Sequence, residues 1–159
     1  MNNNIKVRTL RTEPLKVGYS SHKGPYNNVA NAIESLLTIV RQEGYKPVGL
    51  PSGVFFNNPA EVPAEELSWE VRVPIKMEEP VALGFLKTKE IEAMEMVSTV
   101  HQGPYYKIGE TYKALYSWVS QNGFEAIGPP QEIYLSDAEE VPMDELLTEI
   151  RIPVYKKGH

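Results

Sequence analysis

Apolar and polar residues alternate strictly from Leu67 to Ile75: Leu67, Trp69, Val71, Val73 and Ile75 fall on one side, and Ser68, Glu70, Arg72 and Pro74 on the other. A period of two describes a β-strand with one packed face. The alternation returns over Leu146, Thr148, Ile150, Ile152 and Val154, with Leu147, Glu149, Arg151 and Pro153 opposite. Elsewhere the period lengthens. Val29, Ile33, Leu36, Leu37 and Val40, and again Ile108, Tyr112, Leu115, Tyr116 and Val119, recur at steps of three and four, which predicts two amphipathic helices. Gly44 and Gly123 supply left-handed caps where those helices stop. Two β-rich stretches, Leu15–Tyr19 and Met94–Val100, lead into the helices through His-x-Gly-Pro-Tyr. There Gly-Pro punctuates the strand, and Pro is tolerated in a first helical turn. Val54–Phe56 and Ile133–Leu135 read as short bulky strands.

These elements come in two sets because the chain repeats itself. Residues 16–77 align without a gap on 95–156 at an offset of 79, with 18 identities in 62 positions. His22-Lys-Gly-Pro-Tyr26 matches His101-Gln-Gly-Pro-Tyr105, and Glu70-Val-Arg-Val-Pro74 matches Glu149-Ile-Arg-Ile-Pro153. Each copy reads β-α-β-β, preceded by an extended stretch at residues 5–10 or 81–87, with Lys76 to Pro80 as a short linker. The expected fold is α+β: tandem β-α-β-β units, about residues 5–77 and 81–156, forming one pseudo-two-fold domain over 1–159. It would have antiparallel sheets, a helix on each, and a central groove between the faces the helices leave open.

Composition narrows the function classes. The chain has 159 residues, no cysteine and a formal net charge of −5. Disulfides, thiolate metal sites and cysteine nucleophiles are excluded, and a reducing cytoplasm is the expected location. The acidic balance, with no basic run interleaved with aromatics, argues against direct nucleic-acid binding. No apolar run reaches membrane-spanning length, and the start Met1-Asn-Asn-Asn does not open a basic-then-apolar leader. Phosphate-loop, dinucleotide, nucleophile-elbow and zinc spacings are all missing, so neither a cofactor nor a metal is expected.

Glu70 and Glu149 are the first candidates for chemistry. Each is a carboxylate on the face of its strand opposite the apolar stripe, where it would attract a cation or, if desolvated, act as acid or base. The plainer reading pairs each with the arginine two residues on, Arg72 or Arg151. His22 and His101 lack metal-ligand spacing and read as strand-end histidines bonding the turn. Tyr26 and Tyr105 either wall the groove or pack the helix start. Aromatic residues are plentiful, and aromatics beside a carboxylate hold flat or quaternary cations; Tyr134 is the best placed of them. The copies differ at Asn27 against Tyr106, Phe55 against Tyr134, and Ser52-Gly53 against Gln131-Glu132. An asymmetric ligand would be read at such positions.

His-x-Gly-Pro-Tyr before a helix, Pro130-Gln-Glu-Ile-Tyr-Leu135, and Glu140-Val-Pro-Met-Asp-Glu-Leu146 leading into Thr148-Glu-Ile-Arg-Ile-Pro153 together resemble the GyrI-like small-molecule-binding domains. These include the effector-binding parts of AraC-type and MerR-type multidrug regulators. The resemblance covers about residues 5–156. It implies a groove that takes hydrophobic, aromatic and often cationic compounds, with Glu149 at its floor, Glu70 as counterpart, and Tyr134 and Tyr105 as pocket aromatics. Arg151 stands where some multidrug-sensing relatives carry an apolar residue, and would neutralise Glu149. Tyr26 and Phe55 complete the expected ligand-binding set. The leading expectation is a stand-alone binding module, monomer or weak dimer, that senses or sequesters such molecules. Two others stand beside it: hydrolysis of cyclopropane-bearing toxins by Glu149 with Tyr105, and a gyrase-modulating or regulator-partner role.

Overall fold

A computed structural model describes residues 5–78, 84–137 and 139–158. Its strands are β1 (Arg8–Arg11), β2 (Leu15–Lys23), β3 (Ser52–Phe55), β4 (Ser68–Ile75), β5 (Lys87–Ile91), β6 (Glu95–Gln102), β7 (Phe124–Ala126), β8 (Gln131–Tyr134) and β9 (Leu147–Lys156), all paired antiparallel in the ladders below. The helices are α1 (Val29–Gln42) and α2 (Ile108–Gln121), each entered through a single 3-10 turn beginning at Tyr26 or Tyr105. The fold is therefore α+β, as the patterning requires. Among the described residues no helix is long and apolar enough to cross a membrane.

The chain divides into two compact units, Glu13–Ala93 and Met1–Thr12 with Met94–His159. In the first, called the N-terminal unit, β4 lies between β2 and β3, and β5 pairs the outer side of β2. In the second, the C-terminal unit, β9 lies between β6 and β8, β1 pairs the outer side of β6, and β7 pairs the end of β9. The edge strands depart from the sequence expectation. Residues 8–11 precede the first copy in the chain yet join the sheet of the second, and β5 precedes the second copy yet joins the first. The strand expected at 81–87 begins only at Lys87, and residues 81–83 of that segment lie outside the described residues. Strand pairing is non-local, so the repeat offset carries no information about which sheet a short edge strand completes.

The alternating stripes form the cores. Val71 and Val73 are fully buried in the N-terminal unit, as are Val17 of β2 and Leu36 and Val40 of α1. In the C-terminal unit Ile150, Ile152 and Val154 of β9 and Val97 of β6 meet Leu115 and Val119 of α2. Each fully buried aliphatic side chain of this kind contributes about 1.5–3 kcal/mol relative to exposure. Gly24 and Gly103, in the two His-x-Gly-Pro turns, take φ of 128° and 125°, a left-handed conformation strained for any side chain with a Cβ. The two prolines that follow are extended and open the 3-10 turns. These turns fix where Tyr26 and Tyr105 stand.

Candidate functional site

The register of β8 on β9 decides what the second unit buries. Ile133 pairs with Glu149 and Gln131 with Arg151, so these four point to the face away from α2. Glu132 pairs with Ile150 and Tyr134 with Thr148. Since Ile150 belongs to the core under α2, Glu132 and Tyr134 lie on the helix-covered face. A carboxylate on a core-facing position needs partners. Tyr112, from α2, donates its hydroxyl to Glu132 Oε2 at 2.5 Å, and Tyr134 donates to Oε1 at 3.1 Å.

Other rings extend the cluster. Tyr105 meets Tyr134 edge-on, with centroids 6.2 Å apart, and Tyr116 stacks on Tyr112 at 6.4 Å. Burial raises the Glu132 pKa above the usual carboxylate value, and the two phenol hydrogen bonds offset only part of that. Burial also raises Tyr105, with the charges of Glu132 and Asp137 adding to it. Tyr112 and Tyr134 are pushed up by burial and then by the Glu132 charge, so both stay protonated donors. Among the described residues Glu132 forms no ion pair. The result is a half-buried carboxylate in an aromatic setting, able to attract a cation and, with its pKa raised by burial, to hold a proton more readily than an ordinary carboxylate.

Glu149 and Glu70 sit differently. Glu149 Oε2 accepts from Ser98 Oγ at 2.7 Å, from Arg151 Nε at 2.8 Å and from Arg8 at 3.1 Å. Burial would raise its pKa, but the bonds from Arg151 and Ser98, the Arg151 charge and the Arg8 bond outweigh burial and leave it below the usual value. Glu70 accepts from Arg72 at 2.5 Å and from Lys89 at 2.8 Å, and that lysine also lies over the Tyr19 ring. Arg8 is on β1 and Lys89 on β5, so each glutamate ties an edge strand into its sheet. Both carboxylates are buried and already neutralised.

The remaining candidates separate by unit. Tyr105 and Tyr134 come together beside Glu132, as described. Tyr26 and Phe55 meet at 4.7 Å in the N-terminal unit, where Tyr26 donates to Asn57 O at 2.6 Å and no carboxylate corresponds to Glu132. His22 stacks on Trp69 with centroids 4.5 Å apart and shares a 2.7 Å hydrogen bond with Ser20. His101 bonds Thr111 at 2.7 Å and the carbonyl of Pro104, in its own turn, at 3.1 Å. Among the described residues no cluster of three or more His, Asp or Glu could hold a metal ion. Glu132, Tyr112 and Tyr116 were missed as site residues; the signal was the asymmetry between copies, where Gly53, Ile33 and Leu37 occupy the matching positions.

A family model, GyrI-like small molecule binding domain, matches residues 6–155. No curated protein matches the chain. Among solved structures, the EcmrR C-terminal domain aligns over 97% of this chain and 99% of its own, with a TM-score of 0.79 and 20% identity. EcmrR in a DNA complex aligns over 96% of this chain with a TM-score of 0.84 and 19% identity, and the aligned part is 58% of that longer chain. A hydrolase from Listeria innocua aligns over 94% of this chain and 92% of its own, with a TM-score of 0.70 and 17% identity. SAV2435, solved bound to tetraphenylphosphonium, aligns over 94% of each chain with a TM-score of 0.57 and 11% identity. At these identities the structures share the fold.

Proposed function

The chain belongs to the GyrI-like small-molecule-binding family, and from that premise we propose that it binds hydrophobic aromatic cations at Glu132. One observation carries the reading: Glu132 is a half-buried carboxylate held by two phenols, and among the described residues no cationic side chain is paired to it. A charge taken partly out of water without a counter-ion is costly, and a ligand cation relieves that cost. Tyr105, Tyr112, Tyr116 and Tyr134 supply ring faces and edges for the aromatic part. Glu149, Glu70 and Arg151 serve the sheets instead. The partner is a small molecule, held without a cofactor; sensing or sequestration follows from binding alone.

Tetraphenylphosphonium, the compound bound by the structural neighbour SAV2435, is the natural probe. Titration followed by tryptophan fluorescence should saturate in the unmodified protein and weaken about thirtyfold in Glu132→Gln, the loss of one desolvated charge contact. Absence of saturable binding to this probe and to a panel of other aromatic cations sinks the proposal.

The raised Glu132 pKa favours a second reading, hydrolysis with Glu132 as general base toward water. A neighbour named as a hydrolase shares the fold. Incubation with a cyclopropane-bearing electrophile would then give a ring-opened product in the unmodified protein and none in Glu132→Gln. Stoichiometric binding without product removes this reading and leaves the first intact.

A further inference from the structure

Thr148 is completely buried, and among the described residues its hydroxyl has no hydrogen-bond partner. A buried hydroxyl without a partner costs about 1–3 kcal/mol, and such groups are rare enough to require an explanation. Its location supplies one. On β9 it pairs with His101 of β6 on one side and with Tyr134 of β8 on the other. It therefore shares the helix-covered face with Glu132 and Tyr134.

The matching position in the N-terminal unit is Trp69. That indole stacks on His22 and donates its Nε1–H to Gly24 O at 3.0 Å, so its polar atom is satisfied within the fold. In the C-terminal unit the indole is replaced by a side chain of three heavy atoms, and His101 is engaged by Thr111 and Pro104 O rather than by Thr148. Packing gives no reason for the hydroxyl, because valine has the same shape and nothing to satisfy.

We propose that Thr148 Oγ1 is a second, uncharged recognition point of the Glu132 site, hydrogen-bonding a neutral hydroxyl, carbonyl or ether oxygen of the ligand. The ligand class is then an aromatic cation that also carries a neutral polar group. This rests on Glu132 being the cation site. A hydroxyl that accepts and donates suits any of these oxygens.

The test uses triphenylphosphonium cations whose fourth ring carries either hydroxymethyl or the isosteric ethyl group, at the ortho, meta or para position. In the unmodified protein at least one hydroxymethyl isomer should bind about tenfold more tightly than its ethyl twin, the worth of one well-made hydrogen bond. Thr148→Val should erase that preference without weakening the ethyl series, and Thr148→Ser should keep it. Equal binding of every pair in the unmodified protein, or a preference that survives Thr148→Val, overturns the proposal. So does failure of Thr148→Val to fold, which would make the hydroxyl structural. If the phosphonium cations bind, weaken in Glu132→Gln and yet show no hydroxymethyl preference, only this inference falls. If none of them binds, the cation site falls with it.

Discussion

The two units share a backbone plan and differ in what they put under the helix. Where the C-terminal unit holds Tyr112, Tyr116, Glu132, Tyr134 and Thr148, the N-terminal unit holds Ile33, Leu37, Gly53, Phe55 and Trp69. In the N-terminal unit the apolar set closes on itself, with Trp69 on His22 and Phe55 on Tyr26. In the C-terminal unit the same layer carries a half-buried carboxylate of raised pKa and, among the described residues, a hydroxyl with no partner. What the units share is equally informative. Both keep a buried glutamate on the opposite face, bonded to an arginine two residues on and to a cation from an edge strand. Features common to the copies hold the sheets, and the proposed ligand chemistry rests on features unique to one copy.

The largest expected effect tests the shared half of that comparison. Glu149→Ala leaves Arg151 and Ser98 without their acceptor, and Glu70→Ala leaves Arg72 and Lys89. Removing one partner of a buried pair costs about 3–5 kcal/mol, and about 2–4 kcal/mol here because the basic partners keep part of their hydration. Urea unfolding should show this loss in both variants, while tetraphenylphosphonium affinity of the folded protein stays within about twofold. A tenfold loss of affinity in Glu149→Ala at unchanged stability would return the ligand carboxylate to Glu149 and dissolve the distinction.

That outcome matters because Glu149 was the residue the sequence made most visible. Strict alternation exposes Glu70 and Glu149 as carboxylates opposite an apolar stripe, and nine residues of period two leave no doubt about which face they take. β8 is only four residues long, and alternation over so short a run does not say which side meets the core. Pairing of Glu132 with Ile150 settles it, and pairing is invisible in the sequence. A carboxylate facing the core also contradicts the rule by which core faces are recognised. Tyr112 was legible as a helix-stripe residue but not as a donor, since its hydroxyl matters only once Glu132 is placed opposite. The strands, helices and their glycine stops followed from local periods; the exchange of β1 and β5 between units did not.

The next effect concerns Glu132 itself. Glu132→Gln keeps the shape and both tyrosine contacts but removes the charge, so the roughly thirtyfold loss of phosphonium affinity should come with a gain in stability at neutral pH. An affinity loss accompanied by lower stability would mean that the carboxylate is part of the scaffold, as in the other unit.

pH separates the two kinds of glutamate by sign. The folded pKa of Glu149 lies below its ordinary value of 4.5, so its contribution is complete above about pH 4.5 and is lost as pH falls through the lower folded value. The folded pKa of Glu132 lies above 4.5, so the native state holds that proton more tightly than the unfolded chain. Stability therefore falls as pH rises from about 4.5 through the raised value, and the full cost remains above it. Stability of Glu132→Gln minus that of the unmodified protein should grow over that window and then level off. For Glu149→Gln the deficit should shrink only on acidification below about pH 4.5. A Glu132→Gln difference that is flat from pH 4 to about 8 would assign Glu132 an ordinary carboxyl, for which no ligand is needed.

The smallest effects sort the tyrosines. Tyr134→Phe restores the residue type of the matching Phe55, and Tyr112→Phe removes the other phenol donor. Each deletes a hydrogen bond that favours the ionised form, so the Glu132 pKa should rise further and the neutral form should persist to higher pH than in the unmodified protein. Phosphonium affinity should then fall about threefold at the lower of two pH values and recover toward the unmodified value at the higher, because the loss comes from protonation and not from missing contact area. Tyr105→Phe should behave otherwise. Tyr105 touches Tyr134 edge-on and makes no hydrogen bond to Glu132, and phenylalanine keeps the ring. Its affinity should match the unmodified protein at both pH values. Equal, pH-independent losses in all three variants would mean that the phenols contact the ligand directly, and that the carboxylate is not what distinguishes this unit from its twin.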